Sequence, residues 1–323
     1  MGKLGGILLI ILIGAICLIP ASYYIYAGTY GLNVGLKRGG TIWKTVPDTF
    51  SNVSPAMKLA LQEQIPVPKP GKFAWIPVSK GVEIGELPVH VGAIEVDRIL
   101  LTRLDSAHTS FKVKTDPTGR KELRDWMAGD GAVAAVNGSY YTRYGNPDTP
   151  IVSGGIAMGP KDYDATHGAF VVKNNRARIV DLKAVDWQTA LEGADHAMVS
   201  YPLLVSPDKT RKVKSNRQWL ANRTFVAIDS EGRVIFGTTK DAFFSLERLA
   251  TFLETAELNV THALNLDGGP VSCHGVKSVS FERDFCGTWE TSTNDRGEVK
   301  LLKPLFGNRR WSMPIALIAS ARN

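Results

Sequence analysis

From Gly81 to the end of the chain, apolar residues fall in short runs, alternating or continuous, bounded by Gly, Asp, Asn and Pro. That patterning predicts β-strands over residues 82–91, 98–104 and 110–114. Residues 133–136 are wholly apolar, as in a strand buried on both faces. Further strands are expected at 168–172, 178–182, 197–205, 262–266 and 315–319, and a hairpin at 224–229 and 233–238 around Ser230-Glu231-Gly232. Only two stretches after Gly81 carry a helical period. One is 120–127. The other is 245–258, where Ser245 can cap the first turn and Leu246, Leu249, Ala250, Leu253 and Ala256 share a face. Strands dominate and do not alternate with helices, so the expected class is α+β, a strand-rich single domain over residues 76–323 with few helices.

The first 75 residues follow a different pattern. After Lys3 no charge occurs until Lys37, and about 24 residues from Leu4 to Ala27 are apolar or aromatic, enough to cross a bilayer. Residues 1–27 are therefore read as one N-terminal transmembrane helix, with Tyr23, Tyr24 and Tyr26 as an interfacial belt. A cleaved signal peptide is the competing reading, because Ile19-Pro20-Ala21 resembles a cleavage site. Lys3 on the inner side places the rest outside the cytoplasm, periplasmic or extracellular, as a single-pass protein of the cell membrane. Residues 28–75 are rich in Gly and Pro around a short helical stretch at 55–64, and read as a stalk.

Composition narrows the function. A net charge of +7 suits anionic partners such as phosphates, acidic glycans or a membrane surface, although a mild basic excess is common and by itself says little. Nucleic acid is not among those expected, because the chain lacks zinc-finger spacing, an RNA-binding aromatic signature and a long basic helix. Cys17 lies in the apolar segment, leaving Cys273 and Cys286 in the exported part. In an oxidising compartment these two are expected to form a disulfide, the other reading being two buried free thiols.

Three strand ends deliver polar residues and glycine straight after an apolar run. They are Asn137-Gly138-Ser139-Tyr140-Tyr141, Asn222-Arg223-Thr224 and Asn265-Leu266-Asp267-Gly268-Gly269-Pro270. A strand leaving a core holds its last residue rigidly, and glycine lets backbone approach a ligand. Taken singly, each also has a plainer reading. Asp267 and Asn137 precede glycine as turn formers do, and Arg223 follows a basic, solvated run.

In this order, with a Leu246-Glu247-Arg248-Leu249-Ala250 helix between the second and third, the motifs resemble the phosphodiester glycosidase domain family. The likeness covers most of the chain after Gly81. Departures are Ser139 for a second glycine, Tyr140-Tyr141 for a phenylalanine pair, and Pro270 for a third glycine, with Val271 intervening before Ser272.

The resemblance implies a hydrolase that cleaves sugar-1-phosphodiester bonds in a glycan or glycolipid. Arg223 would hold the phosphate and Asp267 would act as base or nucleophile. Asn137 would bind a sugar hydroxyl or N-acetyl group while Tyr140 or Tyr141 stacks on the ring. Gly138, Thr224, Gly268, Gly269 and Ser272 would belong to the substrate site, with Gly154, Gly155 and His167 lining it and His167 a candidate proton donor. No cofactor is implied, and a divalent metal is left open. Two rivals stand beside this reading: a non-catalytic glycan-binding module of the cell envelope, and a glycosyl-phosphate transferase.

Overall fold

The computed structural model describes all residues except 1, 39, 47–53, 63–64, 130, 209–212, 215–218, 294–295, 297, 306–309 and 323. The last two residues of the short helix expected at 55–64 thus lie outside the described residues.

The chain is strand-rich, as its patterning predicts, and every strand pairing among the described residues is antiparallel. The largest sheet has eight strands. Its centre is the hairpin Thr224–Asp229 and Val234–Thr239, flanked by Val260–Asn265 on one side and Ile94–Leu104 with Val82–Val91 on the other. A five-stranded sheet places Ala132–Asn137 between Cys273–Lys277 and Ile315–Ala321. A third, centred on Gly168–Lys173 and His196–Ser200, also has five strands.

Alternation decides which core each side chain enters. Along Thr224–Asp229, Phe225 and Ala227 join a core built with Leu249, Phe252 and Leu253 of the helix Leu246–Thr255. Val226 and Ile228 point the other way, into a core shared with Phe170, Met198, Val136 and Leu317 of the two smaller sheets. The strand is covered on both faces, which is why its sequence reads as one continuous apolar run. Ser245 caps the helix as expected, accepting from the Arg248 N–H at 3.3 Å.

Residues 197–205, expected as one strand, form two. His196–Ser200 pairs with Gly168–Lys173, whereas Leu203–Val205 pairs with Val260–Asn265 of the large sheet. Tyr201 and Pro202 lie between them, and proline cannot donate to a ladder. The chain changes sheets at Tyr201.

The Cys273–Cys286 disulfide is present, joining directly opposite residues of two neighbouring strands with Cα atoms 4.0 Å apart.

The first helix spans Gly2–Arg38 and is long and apolar enough to cross a membrane. The span is two helices joined at a break, and the apolar one ends at Ala27, as expected. The break falls at Gly28 (φ 65°, ψ −170°) and the helix resumes to Arg38, burying Ala27, Tyr30 and Val34. Tyr30 and Val34 share a face of the second helix by their i, i+4 spacing, and Ala27 closes the first helix beside them. Other parts of 28–75 also attach to the domain. Met57, Ala60 and Leu61 enter the core beneath the large sheet, Lys69–Pro70 extends that sheet, and Thr41–Thr45 pairs with Val299–Pro304. Local Gly and Pro content suggests a spacer, but these scattered apolar residues find cover on the domain.

Candidate functional site

The ends of Ala132–Asn137 and Val260–Asn265 are laced together. The Asp267 N–H donates to the Gly138 carbonyl at 3.0 Å, and the Asn137 side-chain amide donates to the Asp267 carbonyl at 2.8 Å. The Asn137 amide oxygen accepts from the Cys273 N–H at 3.1 Å. Asn137 is 2% exposed, and both ends of its amide are used on the main chain. It shapes the loop that carries Asp267 and does not line the pocket.

Arg223 precedes the central hairpin and is 6% exposed. Its Nη2 donates to the Trp219 carbonyl at 2.7 Å and its Nε to the Phe244 carbonyl at 3.2 Å. No carboxylate forms an ion pair with it among the described residues. Burial pulls its pKa down, opposed by Tyr140, Glu290 and Asp267. A guanidinium fixed by carbonyls, with no carboxylate in ion-pair contact among the described residues, is suited to an anion brought in from outside.

The glycines after Asp267 make room for the charged groups. A Cβ on Gly268 would lie 3.2 Å from Arg223 Nη1, and one on Gly269 would lie 2.6 Å from Glu290 Oε2. Asn222 organises the surroundings. Its amide donates to the carbonyls of Thr239, Lys240 and Asp241 and accepts from the N–H groups of Thr288 and Trp289. Its own carbonyl accepts from the Gly269 N–H and the Ser272 hydroxyl. One buried asparagine thereby fixes Arg223, the glycine loop and the segment bearing Glu290.

The result is a pocket of 460 Å³ whose wall includes Tyr140, Tyr141, Tyr201, Arg223, Asp267 and Glu290, closed further by Trp219 and Trp311. Burial is the main cause pushing the Asp267 carboxyl up to about 7. The Gly268 N–H opposes the shift, Glu290 adds to it, and Arg223 pulls it back. Glu290 is raised as well, chiefly by burial, while the Trp219 indole N–H bound at 3.2 Å and Arg223 lower it. Tyr140 stacks on Tyr201 with centroids 4.2 Å apart and is held by the Tyr201 carbonyl and the Asn265 amide. A carboxylate poised near neutrality, a second carboxylate and a fixed cation can activate water beside a bound phosphate.

The other expected residues divide. His167 lines an adjoining pocket of 560 Å³ that shares Asp148 and Tyr201 with the first, so it flanks the site from behind Tyr201. Ser272 and Thr224 are fully buried in the framework. Gly154 and Gly155 form the turn between Ile151–Ser153 and Ile156–Met158, with φ of 59° and 76°. Ser153 pairs with His196, at the far end of the strand leading to Tyr201, so this turn sits roughly 16 Å from the site by strand rise. A Gly-Gly pair signals a hairpin turn as readily as a ligand loop, and here it makes a turn.

Glu290, Tyr201, Trp219 and Trp311 escaped the sequence reading. Glu290, Trp219 and Trp311 come from segments with no periodic signal, and Tyr201 from within an expected strand. Glu290 is brought beside Arg223 by the Asn222 hydrogen bonds, a bridge to Ala221 and the Trp219 indole. Among the described residues, no group of three or more His, Cys, Asp or Glu side chains could hold a metal ion.

Residues 130–288 match the model of the phosphodiester glycosidase family. No curated protein matches the chain. Among solved structures, the chain is similar to the catalytic domain of zebrafish N-acetylglucosamine-1-phosphodiester alpha-N-acetylglucosaminidase, in a form auto-inhibited by its pro-peptide. The TM-score is 0.50 at 14% identity, over 87% of this chain and 88% of that one. A hypothetical protein from Synechocystis aligns over 78% of this chain and 64% of its own, with 13% identity and a TM-score of 0.46. At these identities the zebrafish likeness is one of fold. The family match spans the Asn137, Arg223 and Asp267 motifs in order, and over residues 130–288 the chain is similar to the phosphodiester glycosidase family.

Proposed function

We propose that the protein hydrolyses a sugar-1-phosphodiester bond in a glycan or glycolipid outside the cytoplasm, held to the membrane by its first helix. The observation that carries this reading is the pairing, in one pocket, of Asp267 and Glu290 with an Arg223 that has no carboxylate partner among the described residues. Arg223 binds the phosphate, and its charge stabilises the negative charge that gathers on the departing oxygen. Asp267 takes a proton from water as the water oxygen attacks the anomeric carbon. The bond from that carbon to the phosphate oxygen breaks, and its electron pair leaves with the phosphomonoester. That leaving group is already a stable anion and needs little protonation, which fits a pocket whose one cationic side chain among the described residues is Arg223. Burial, with a smaller contribution from repulsion by Glu290, keeps Asp267 basic enough to accept the proton near neutral pH. Tyr140, Tyr141, Trp219 and Trp311 offer aromatic faces for the sugar.

Incubating the exported part of the chain with phosphodiesters of common sugars and weighing the products tests this. Free sugar and a phosphomonoester are expected. Sugar phosphate and free alcohol would assign a phosphodiesterase instead, and no turnover on any such diester would leave a binding module.

A further inference from the structure

The end of the apolar helix and the wall of the pocket are joined by a built contact. Beyond Gly28 the helix lays Tyr30 in a slot formed by two loops of the domain. A Cβ on Gly119 or Gly145 would lie 2.7 or 2.4 Å from the Tyr30 ring, and both glycines have positive φ, 67° and 80°. The Tyr30 ring meets Tyr141 edge-on at 5.8 Å, and Tyr141 lines the Asp267 pocket. Asn33 donates to the Thr118 carbonyl at 2.7 Å, and Lys37 lies 3.7 Å from Glu122. On the apolar side of the kink, the Arg143 guanidinium covers the Tyr26 ring at 5.2 Å and the Tyr144 ring at 4.6 Å.

These distances fix the height of the site if the helix spans a bilayer. Residues 7–25 expose Ile, Leu and Tyr side chains around the helix. A hydrocarbon core of about 30 Å takes about 20 helical residues, so it ends near Tyr24 to Tyr26. Tyr30 follows just past the break at Gly28, where the second helix turns back so that Gly31 and Gly35 lie beside the Tyr23 ring, and one ring contact then leads to the pocket wall. A headgroup layer is about 5–8 Å thick on each side, and the joint keeps the pocket wall beside it. A flexible stalk would leave the pocket free to sample the space beyond. This joint holds it down.

We infer that the substrate is a glycolipid of the same bilayer, a sugar joined through a phosphodiester to a membrane-embedded chain, with the Gly28–Arg38 joint holding the pocket at headgroup height. The inference rests on the hydrolytic reading above and adds the class of the second ester. The pocket wall suits such a chain: Leu246, Pro270, Val271 and the half-exposed Trp219 offer apolar surface beside Arg223.

The test uses the full chain reconstituted in phosphatidylcholine vesicles. Two probes carry the same sugar 1-phosphate, one esterified to hexadecanol and held in the vesicles, the other esterified to methanol and free in solution. A variant carries ten Gly-Ser residues inserted between Tyr26 and Ala27, leaving the docked helix intact and freeing the domain by roughly 17 Å. The readout is the ratio of hexadecyl to methyl ester turnover, in which any general loss of activity cancels. We expect the parent to favour the hexadecyl ester and the insertion to lower the ratio about tenfold or more, because the tether sets the effective concentration of pocket and headgroup. An unchanged ratio would overturn the inference while leaving the hydrolase standing. So would a mature protein that begins after the apolar segment. Failure of the parent on both esters would instead remove the hydrolytic reading, and this inference with it.

Discussion

The side-chain amide of Asn137 donates to the main-chain carbonyl of Asp267 at 2.8 Å, although 130 residues separate them in the chain. The bond crosses between the five-stranded and eight-stranded sheets and sets where the Asp267 loop begins. Removing it in Asn137→Ala strands the Asp267 carbonyl and the Cys273 N–H in a buried site. Each orphaned group costs about 1–3 kcal/mol. The turnover number should fall by about two orders of magnitude through misplacement of Asp267. Urea denaturation and steady-state kinetics check both effects, and an unaltered midpoint with normal turnover would contradict them.

Gly269→Ala should damage the site from the other side. The position has φ of +70°, and the new Cβ would meet Glu290 Oε2 at 2.6 Å. Left-handed backbone costs a non-glycine residue about 1–2 kcal/mol, and Glu290 must move as well. A lower melting temperature is expected. So is a lower apparent pKa in the rate profile, since Glu290 helps to hold Asp267 up.

The pH profile follows from Asp267 itself. Its carboxyl is raised from an ordinary 3.8 to about 7, so as a base it becomes competent as pH rises through about 7. kcat/KM should climb through that point and level off above it. The same shift has a stability sign. Between about 4 and 7 the folded protein keeps a proton that the unfolded chain has released, so this group's contribution falls as pH rises across that window. Asp267→Asn should therefore abolish turnover yet melt higher than the wild type at pH 8, with the difference vanishing near pH 4. Thermal melts at the two pH values decide it.

The sequence made the strand ends legible because three apolar runs stop at Asn137, before Asp267, and start after Arg223, and a buried strand needs such a run. It made the two-faced burial of Thr224–Asp229 legible for the same reason. It did not reveal Glu290, because that residue reaches the pocket through the Asn222 hydrogen bonds to Thr288 and Trp289, a purely tertiary link. The sequence was misleading at Gly154-Gly155, where glycine serves φ > 0 in a turn. It also understated residues 28–38, where Tyr30 and Val34 are too few to stand out beside the apolar helix.

Arg223→Lys should raise KM by about tenfold and also lower kcat. Lysine keeps the charge but cannot donate at once to the Trp219 and Phe244 carbonyls and to a phosphate. Steady-state kinetics on a sugar phosphodiester provide the check. A change in KM alone would show that Arg223 serves the ground state only.

The central claim is that water attacks the sugar's anomeric carbon and not phosphorus. Hydrolysis of a sugar-1-phosphodiester in oxygen-18 water, followed by mass analysis of the phosphomonoester, tests it most directly. If the Asp267, Glu290 and Arg223 pocket works as described, the phosphomonoester carries no heavy oxygen, because its bridging atom came from the substrate. A phosphate product bearing the label would contradict the account.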